Sequence, residues 1–287
     1  MFYQMYTIQV MHFGVIFPVI YTLMDGKTNE KYQMMFDLLV KAVGSDFMDR
    51  NFTFMGDFEI AHFNFLRDKV TRKNCLFHYC QCIYRKCQYI SKIEYENKTS
   101  FYELAKSLMI LPYVSPNRVV SIFDMLKNEY KSENEKELLK YFEENFLNGS
   151  FKLENWNLHD TIIRTNNQIE SFHSAFNRFV NQKHPKFHNL VPKINKQIIK
   201  NKKEYDEQVK NMRTRRKKTE FILKNKNLYL ILLEESKYKD NELVILLKNA
   251  TKNKREKYEM SRDPTEREEE KKKTKWKTFR KKQMKMK

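Results

Sequence analysis

The sequence predicts a mixed α/β fold in which a mixed sheet is flanked by helices and followed by an all-helical stretch. Three observations lead to this prediction. Strand-like apolar runs alternate with helical periodicity up to about residue 95, and only helical periodicity follows from about residue 100. Glycine and proline number only 5 and 6 among 287 residues, which favours helices over tight turns. This length allows one large domain or two smaller ones, with enough residues for a core.

The first 95 residues are expected to begin with a hairpin and continue with alternating helices and strands. The hairpin strands are predicted at Tyr3–Val10 and Val15–Leu23, and Pro18 should mark an edge or a bulge. The elements that follow are a helix at Asn29–Val43, a strand at Asn51–Met55, a helix at Phe58–Val70, a strand at Asn74–Phe77 and a helix from His78 to about Ile90. One face of the first helix should be buried, through Tyr32, Met35, Phe36, Leu39 and Val43.

Residues 96–160 read as helices throughout. The predicted helices are Phe101–Met109, Pro116–Tyr130 and Glu135–Phe146, and an irregular segment at Gly149–Asp160 follows them. Trp156 in that segment is either a core anchor or an aromatic ring that stacks on an unpaired base.

The net charge of +19 is concentrated in the last third of the chain. Residues 191–287 contain 32 Lys and Arg against 15 Asp and Glu, whereas residues 1–190 are nearly balanced at 23 against 21. This asymmetry predicts a globular body with an extension that binds polyanions, or else a solvated low-complexity tail. Its densest runs are Lys271–Lys287 and a cluster formed by Arg213, Arg215, Arg216, Lys217 and Lys218, which are candidates for a nuclear localisation signal or a phosphate-binding patch.

Two apolar clusters interrupt the basic extension. Leu228–Leu233 and Leu243–Leu247 are expected to be amphipathic helices that dock either on the body or on a partner. The almost wholly charged Glu266–Lys287 is expected to be disordered.

The cysteines and the N-terminal segment limit the cellular setting. Cys75, Cys80, Cys82 and Cys87 lie within thirteen positions without a CxxC pair, which predicts reduced thiols packed on or near one helix. Met1–Leu23 lacks the features of a signal peptide, and the longest apolar stretch is shorter than the roughly 20 residues that span a bilayer. An intracellular protein without a membrane partner is therefore expected.

The segment around Glu170 carries the strongest indication of chemistry. Asn166 or Asn167 can cap a helix whose apolar positions are Ile169, Phe172, Phe176 and Phe179. Glu170 and His173 lie one turn apart on that helix, as two groups of a site would. The alternative is that Asn167 and Glu170 form a capping box.

Three motifs in a fixed order extend this observation. Asp57 follows Thr53-Phe54-Met55, then comes Cys75-Leu76-Phe77-His78, and last the run from Asn166 to His173. In this combination the chain resembles the transposase domain of Mutator-like elements over about residues 1–195. Met1–Ile8 and Pro18–Tyr21 are similar to the second and third strands of that domain.

The resemblance implies an RNase H-like core with a helical insertion ahead of a catalytic Glu. It divides the chain into a partial core at 1–95, the insertion at 96–160, core completion at 161–195 and a basic helical or disordered tail at 196–287. Family members cut and join DNA strands with an Asp-Asp-Glu triad that holds two divalent metal ions, Mg²⁺ or Mn²⁺. Asp57 would be the second acid and Glu170 the third, although an Asp at a strand end is also a common turn or N-cap residue.

The first acid of that triad would lie ahead of Phe2, so the first strand is expected to be missing and the site impaired. Cys75 and His78 match the family's Cys-x-x-His motif, and three roles are open to them. They could be half of a zinc site that His173 or another cysteine would complete, or they could contact DNA near the metal. The third alternative is a packed thiol and an imidazole that caps a helix. Arg164 and Asn166 are expected to contact a phosphate or orient the Glu170 carboxylate.

Two functions from different classes follow from these observations. The first is an enzyme that descends from DNA strand transferases, acts in the nucleus and has DNA as its partner. A homo-oligomer is a further possibility for it. The second is a host-retained, non-catalytic DNA- or protein-binding protein.

Overall fold

The structure is a computed structural model, and it describes residues 2–12, 15–44, 53–58, 71–149, 152–161, 163–182, 184–211 and 219–251. Its described part is mixed α/β and mostly helical. The strands are β1 (Gln4–His12), β2 (Val15–Met24), β3 (Thr53–Gly56) and β4 (Thr71–Asn74). The helices are α1 (Asn29–Val43), α2 (Leu76–Glu96), α3 (Ser100–Ile110), α4 (Pro116–Glu129), α5 (Glu133–Phe142), α6 (Leu153–Trp156), α7 (Asn167–Val180), α8 (Phe187–Asn211), α9 (Thr219–Leu233) and α10 (Asp240–Thr251).

The N-terminal hairpin forms as predicted. β1 and β2 pair antiparallel, and the register shifts where Ile8 faces Ile20 and Gln9 faces Pro18. Val19 is therefore the extra residue of a bulge, which fits the absence of a ladder N–H at Pro18. The prediction that Pro18 marks an edge or a bulge is confirmed.

The described strands form two two-stranded sheets, β1–β2 and β3–β4, and a single mixed sheet that would include both stays a prediction. β3 and β4 are parallel, with Gly56 opposite Asn74 at their carboxyl ends. The predicted strand Asn74–Phe77 was wrong by about three positions: its apolar side chains begin α2, while the polar sequence of Thr71–Asn74 forms β4. The predicted helix Phe58–Val70 lies almost wholly outside the described residues.

α1 covers one face of both sheets. Its buried side chains are Tyr32, Met35, Phe36 and Leu39, as predicted, but Val43 is 47% exposed because the helix ends there. Four strand residues pack against this face: Tyr6 and Ile8 of β1, Ile20 of β2 and Phe54 of β3. Phe36 and Phe54 meet edge to face, 6.2 Å between ring centroids. A single helix thus holds β1 and β3 in one layer.

The helical part buries the largest apolar cluster of the described chain, which is formed mainly by α2, α3, α4 and α5. Trp156 is fully buried in it, stacks on Tyr79 at 5.4 Å and donates its Nε1–H to the Phe146 carbonyl at 2.8 Å. The core-anchor interpretation of Trp156 is confirmed, since a ring at zero exposure cannot stack on a base.

The helices of this part differ from the prediction mainly at their ends. α2 continues past Ile90 to Glu96 across a non-helical residue, Ser91. α5 begins two residues earlier than predicted because Ser132 and Glu135 form a capping box, and it runs into a π-helical turn at Glu143–Leu147.

The two apolar clusters of the C-terminal extension dock on the body. Leu228 of α9 and Leu243, Val244 and Leu247 of α10 are buried in the same cluster as Trp156. The prediction of helices that dock on the body is therefore confirmed for this part of the extension. The domain boundaries at 95, 160 and 195 stay a prediction.

α9 and α10 form a C-terminal helical hairpin, and a group of polar contacts, called the clasp below, binds it to the helical part. The Arg118 guanidinium donates to Asp240 at 2.6 Å and to the carbonyls of Glu235 and Tyr238 at 2.8 and 2.9 Å. The nearly buried Glu235 carboxylate accepts the Ser115 N–H at 3.1 Å. Charge-assisted bonds of this kind are among the stronger hydrogen bonds in proteins, so the hairpin is tied by polar and apolar contacts together.

No helix within the described ranges is both long enough and apolar enough to cross a membrane.

Replacing Leu247 with Ala should lower the free energy of unfolding by about 2–5 kcal/mol, because a fully buried leucine would leave a cavity in the helical core. Ile245→Ala on the same helix is the matched control: its side chain is 57% exposed, and a loss within about 0.5 kcal/mol beyond helix propensity is expected. Urea denaturation measures both. Equal losses would contradict the docking of α10 on the core.

Candidate active site

Three chain segments meet where the parallel strands end. The carboxyl ends of parallel strands share one edge of a sheet, so Asp57 after β3 and Cys75 after β4 are brought side by side. The backbone continues this arrangement: the Cys75 N–H donates to the Gly56 carbonyl and the Leu76 N–H to the Arg164 carbonyl, both at 2.8 Å. The segment that precedes α7 is thereby fixed against the start of α2.

His78 lies between the two predicted acids. Its Nδ1 atom is 3.0 Å from Oδ1 of Asp57 and its Nε2 atom is 3.7 Å from Oε1 of Glu170. The contact with Asp57 has the distance of an ion pair but not the angles of a hydrogen bond, since this buried Nδ1 has no hydrogen-bond partner among the described residues. Both carboxylates are about half exposed, so solvent and larger ligands can reach them.

Asn166 connects Asp57 with Cys75. Its side-chain amide donates to Oδ1 of Asp57 through a short hydrogen bond, and its Oδ1 accepts the Cys75 thiol at 3.0 Å. The Asn166 N–H also points to the Cys75 sulfur, at 3.5 Å. Because these bonds occupy a buried side chain, Asn166 orients Asp57, whereas the sequence had suggested an effect on Glu170.

The capping-box alternative for Glu170 is wrong. Asn166 is the N-cap residue of α7 but makes no side-chain capping bond, because its amide is bonded to Asp57 and Cys75. Glu170 then falls one position beyond the N3 site that a capping box requires. Its carboxylate instead faces His78.

His173 points away from Glu170 toward β1. Its Nε2 atom is 3.0 Å from the Thr7 hydroxyl, and the ring is partly buried. Burial lowers the pKa of His173, and the nearby Asp57 carboxylate opposes this effect in part. Glu170 therefore faces α2, whereas His173 faces β1.

Arg164 is directed toward the helical part. Its guanidinium lies over the Tyr113 ring, 5.2 Å from the centroid, and its Nε–H donates to the Leu158 carbonyl at 3.4 Å. Burial lowers the pKa of the Arg164 side chain. A contact between Arg164 and a phosphate stays a prediction, and in the described arrangement this residue braces the loop before α7.

The four cysteines are free thiols, as predicted. Cys80, Cys82 and Cys87 lie on α2, and burial raises the pKa of Cys80 and Cys87 to about 12. Burial also raises the pKa of Cys75, which is fully buried against Asn166. A protonated thiol is a poor metal ligand, so these environments favour packing over zinc binding.

The described residues alone do not complete a site for a bound metal ion. Asp57 and Glu170 offer the carboxylate oxygens that Mg²⁺ prefers, but the His78 ring lies between them. In the part of the chain that the structure covers, no three His, Cys, Asp or Glu side chains are arranged to hold a cation.

Two contacts of the site were not predicted from the sequence. Thr7 faces α7 because strand residues alternate and Tyr6 and Ile8 face α1, but no local pattern indicates which helix covers the other side. Tyr113 lies in a short turn, Leu111–Tyr113, and its ring position depends on the path of the chain near Leu158. The basic cluster from Arg213 to Lys218, which comprises Arg213, Arg215, Arg216, Lys217 and Lys218, lies outside the described residues.

Searches with protein-family models, among curated proteins and among solved structures found no match to this chain.

The lowered pKa of His173 predicts an acid-sensitive contribution to stability. The unfolded chain binds a proton at this residue at higher pH than the folded chain does, so acidification through the ordinary histidine pKa favours unfolding. Between pH 7 and pH 5, His173→Gln should therefore lose less unfolding free energy than the unchanged protein. Urea denaturation at both pH values measures this, with His188→Gln on the exposed side of α8 as the control. An identical pH dependence in the unchanged protein and His173→Gln would contradict the burial of a neutral imidazole.

Proposed function

We propose that this chain carries the site of a metal-dependent DNA strand-cleaving and strand-transfer enzyme of the Mutator-like transposase type. One observation carries the proposal. Asp57, His78 and Glu170, which the resemblance had assigned from separate motifs, converge within ion-pair distance at the carboxyl end of a parallel strand pair. Proximity along the sequence cannot produce this meeting, because the chain between His78 and Glu170 folds as the helical part.

The environment of the two carboxylates supports a role in binding DNA phosphates through a divalent cation. Both are half exposed, and Asp57 is held by a buried amide while Glu170 projects from the first turn of a rigid helix. Rigid elements with supporting bonds are what a positioned catalytic group requires. With a further acid from a first strand, Asp57 and Glu170 would supply hard oxygen ligands for Mg²⁺ or Mn²⁺.

The finer fold proposal is that the two small sheets belong to one RNase H-like sheet. α1 packs on β1 and β3 from one side. On the other side, His173 contacts β1 at Thr7, and Asn166 contacts Asp57 after β3. Each described sheet has only two strands, so its edge strands are open to pairing with a further strand. The faces of the two sheets are already covered by α1 and α7. A strand that bears the first acid, which the resemblance assigns ahead of Phe2, would pair with such edges.

The position of His78 between the two carboxylates favours a second, non-catalytic function. His78 lies between the carboxylates, and the described residues supply no third acid to them. A non-catalytic protein that binds DNA or a protein partner would use the body as a scaffold and the basic extension for affinity. Under this alternative, Asp57 and Glu170 can be neutralised without loss of binding.

The catalytic proposal predicts a gain of activity on extension. A chain extended at its N-terminus by a strand with the first acid should nick supercoiled plasmid in Mg²⁺ or Mn²⁺, and the 287-residue chain should show only background nicking. Within the extended chain, Glu170→Gln should return nicking to background, whereas Glu144→Gln on the exposed helical surface should leave it unchanged. Nicking that persists in Glu170→Gln would refute the assignment of this carboxylate.

The basic extension predicts salt-dependent DNA affinity. Replacing the five residues Arg213, Arg215, Arg216, Lys217 and Lys218 with Gln should reduce the slope of log affinity against log salt by up to about 4–5 for duplex DNA, since each phosphate contact contributes about 0.9. Fluorescence anisotropy of a labelled duplex measures it. A charge-matched control replaces Lys92, Lys98, Lys106, Lys136 and Lys140 of the helical part. A slope that is the same in all three proteins would argue against phosphate binding by this cluster.

A further inference from the structure

An open cavity of about 1020 Å³ begins at Glu170 and runs along the exposed side of α7 to the turn before α8. We call it the α7 trough. Its lining residues are Glu170, His173, Ser174, Asn177, Arg178, Asn181, Gln182, His184 and Pro185. Neither of the functions above uses the residues beyond His173.

The trough is lined almost entirely by hydrogen-bonding side chains. Beyond Glu170, its lining consists of amides, a hydroxyl, imidazoles and one guanidinium, with Pro185 as the apolar exception. Among the described residues, Glu170 supplies the one carboxylate of this lining, so a phosphate group placed further along the trough meets no repulsion from them. Apolar side chains, which usually dominate pockets for small molecules, are nearly absent from this lining.

Helical spacing arranges these groups in a row. Ser174 and Arg178 follow Glu170 at intervals of four residues, and Asn177 and Asn181 lie three residues beyond Ser174 and Arg178, so these side chains occupy one side of α7 over three turns. Eleven residues of helix span about 16 Å, which is long enough to contact more than one phosphate of one strand. The row ends where Asn181 adopts a left-handed conformation, with φ 47°, and closes the helix.

Arg178 is the cation of this row. Its side chain is exposed, and one N–H donates to the Ser174 hydroxyl at 3.0 Å, which keeps the guanidinium along the trough. A guanidinium has five N–H donors, so the remaining donors can bind phosphate oxygens in the paired geometry that arginine favours.

We propose that the α7 trough binds the phosphate backbone of one DNA strand and leads it to Asp57 and Glu170, with Arg178 as the principal phosphate contact. This inference rests on the proposed function, since it names the track by which the substrate of that site is held. Contacts to phosphates position a strand without reading its bases, so binding should not depend on base sequence.

The test uses the 287-residue chain and a labelled single-stranded oligonucleotide, with chelator present so that no metal-dependent step contributes. Arg178→Gln should weaken binding about fivefold at 0.1 M salt, because one lost contact to a single strand changes the salt slope by about 0.7. The slope itself should fall by that amount. Arg85→Gln is the matched control, since Arg85 is exposed on α2 and does not line the trough. Circular dichroism verifies that both variants are folded.

Asn177→Asp provides a second variant that adds a negative charge inside the trough without changing the size of the side chain. It should also weaken binding at low salt, because it introduces repulsion along the strand. Equal affinities for Arg178→Gln, Arg85→Gln and the unchanged protein would overturn the trough assignment and leave the proposed function intact. Absence of DNA binding by the unchanged protein would overturn both. Stronger Arg178-dependent binding of an acidic peptide than of DNA would assign the trough to a protein partner instead.

Discussion

The buried side chain of Asn166 is the interaction on which the site depends. Its amide bonds Asp57, its carbonyl oxygen accepts the Cys75 thiol, and its backbone begins α7. The end of β3, the start of α2 and the start of α7 are therefore joined through one residue. A buried amide left without partners would cost about 1–3 kcal/mol, so this arrangement selects against any other relative placement of the three segments. Because Asp57, His78 and Glu170 stand at these three ends, their meeting is a consequence of this junction.

Local patterns in the sequence predicted most of the elements, for identifiable physical reasons. The first helix was predicted to start at Thr28 or Asn29 and to end at about Val43, close to its observed bounds, because its apolar face repeats at helical spacing. Gly44 ends this helix with φ 105°. The strand at Thr71–Asn74 was misplaced, because its side chains are polar, whereas Cys75-Leu76-Phe77 form a continuous apolar run. Apolar content alone cannot separate a short strand from the first turn of a buried helix.

The candidate site was predicted as a set of residues but not as a geometry. The order of the motifs singled out Asp57, His78 and Glu170, while the sequence contains no indication that Asn166 would turn to Asp57 or that His173 would turn to Thr7. These choices depend on which strand edge and which helix end come together across distances of more than a hundred residues. Arg164 illustrates the same limit, since its neighbours Tyr113 and Leu158 belong to the helical part.

The clasp between Arg118 and Asp240 joins residues 122 positions apart, and α10 fills part of the helical core. At ribosomal rates of about 5–20 residues per second, the chain from Arg118 to Asp240 takes about 6–24 seconds to synthesise. During that time the apolar groove that receives Leu243 and Leu247 is exposed on the nascent chain. The helical core is therefore completed late, and its aggregation risk is greatest during translation, before the C-terminal hairpin emerges.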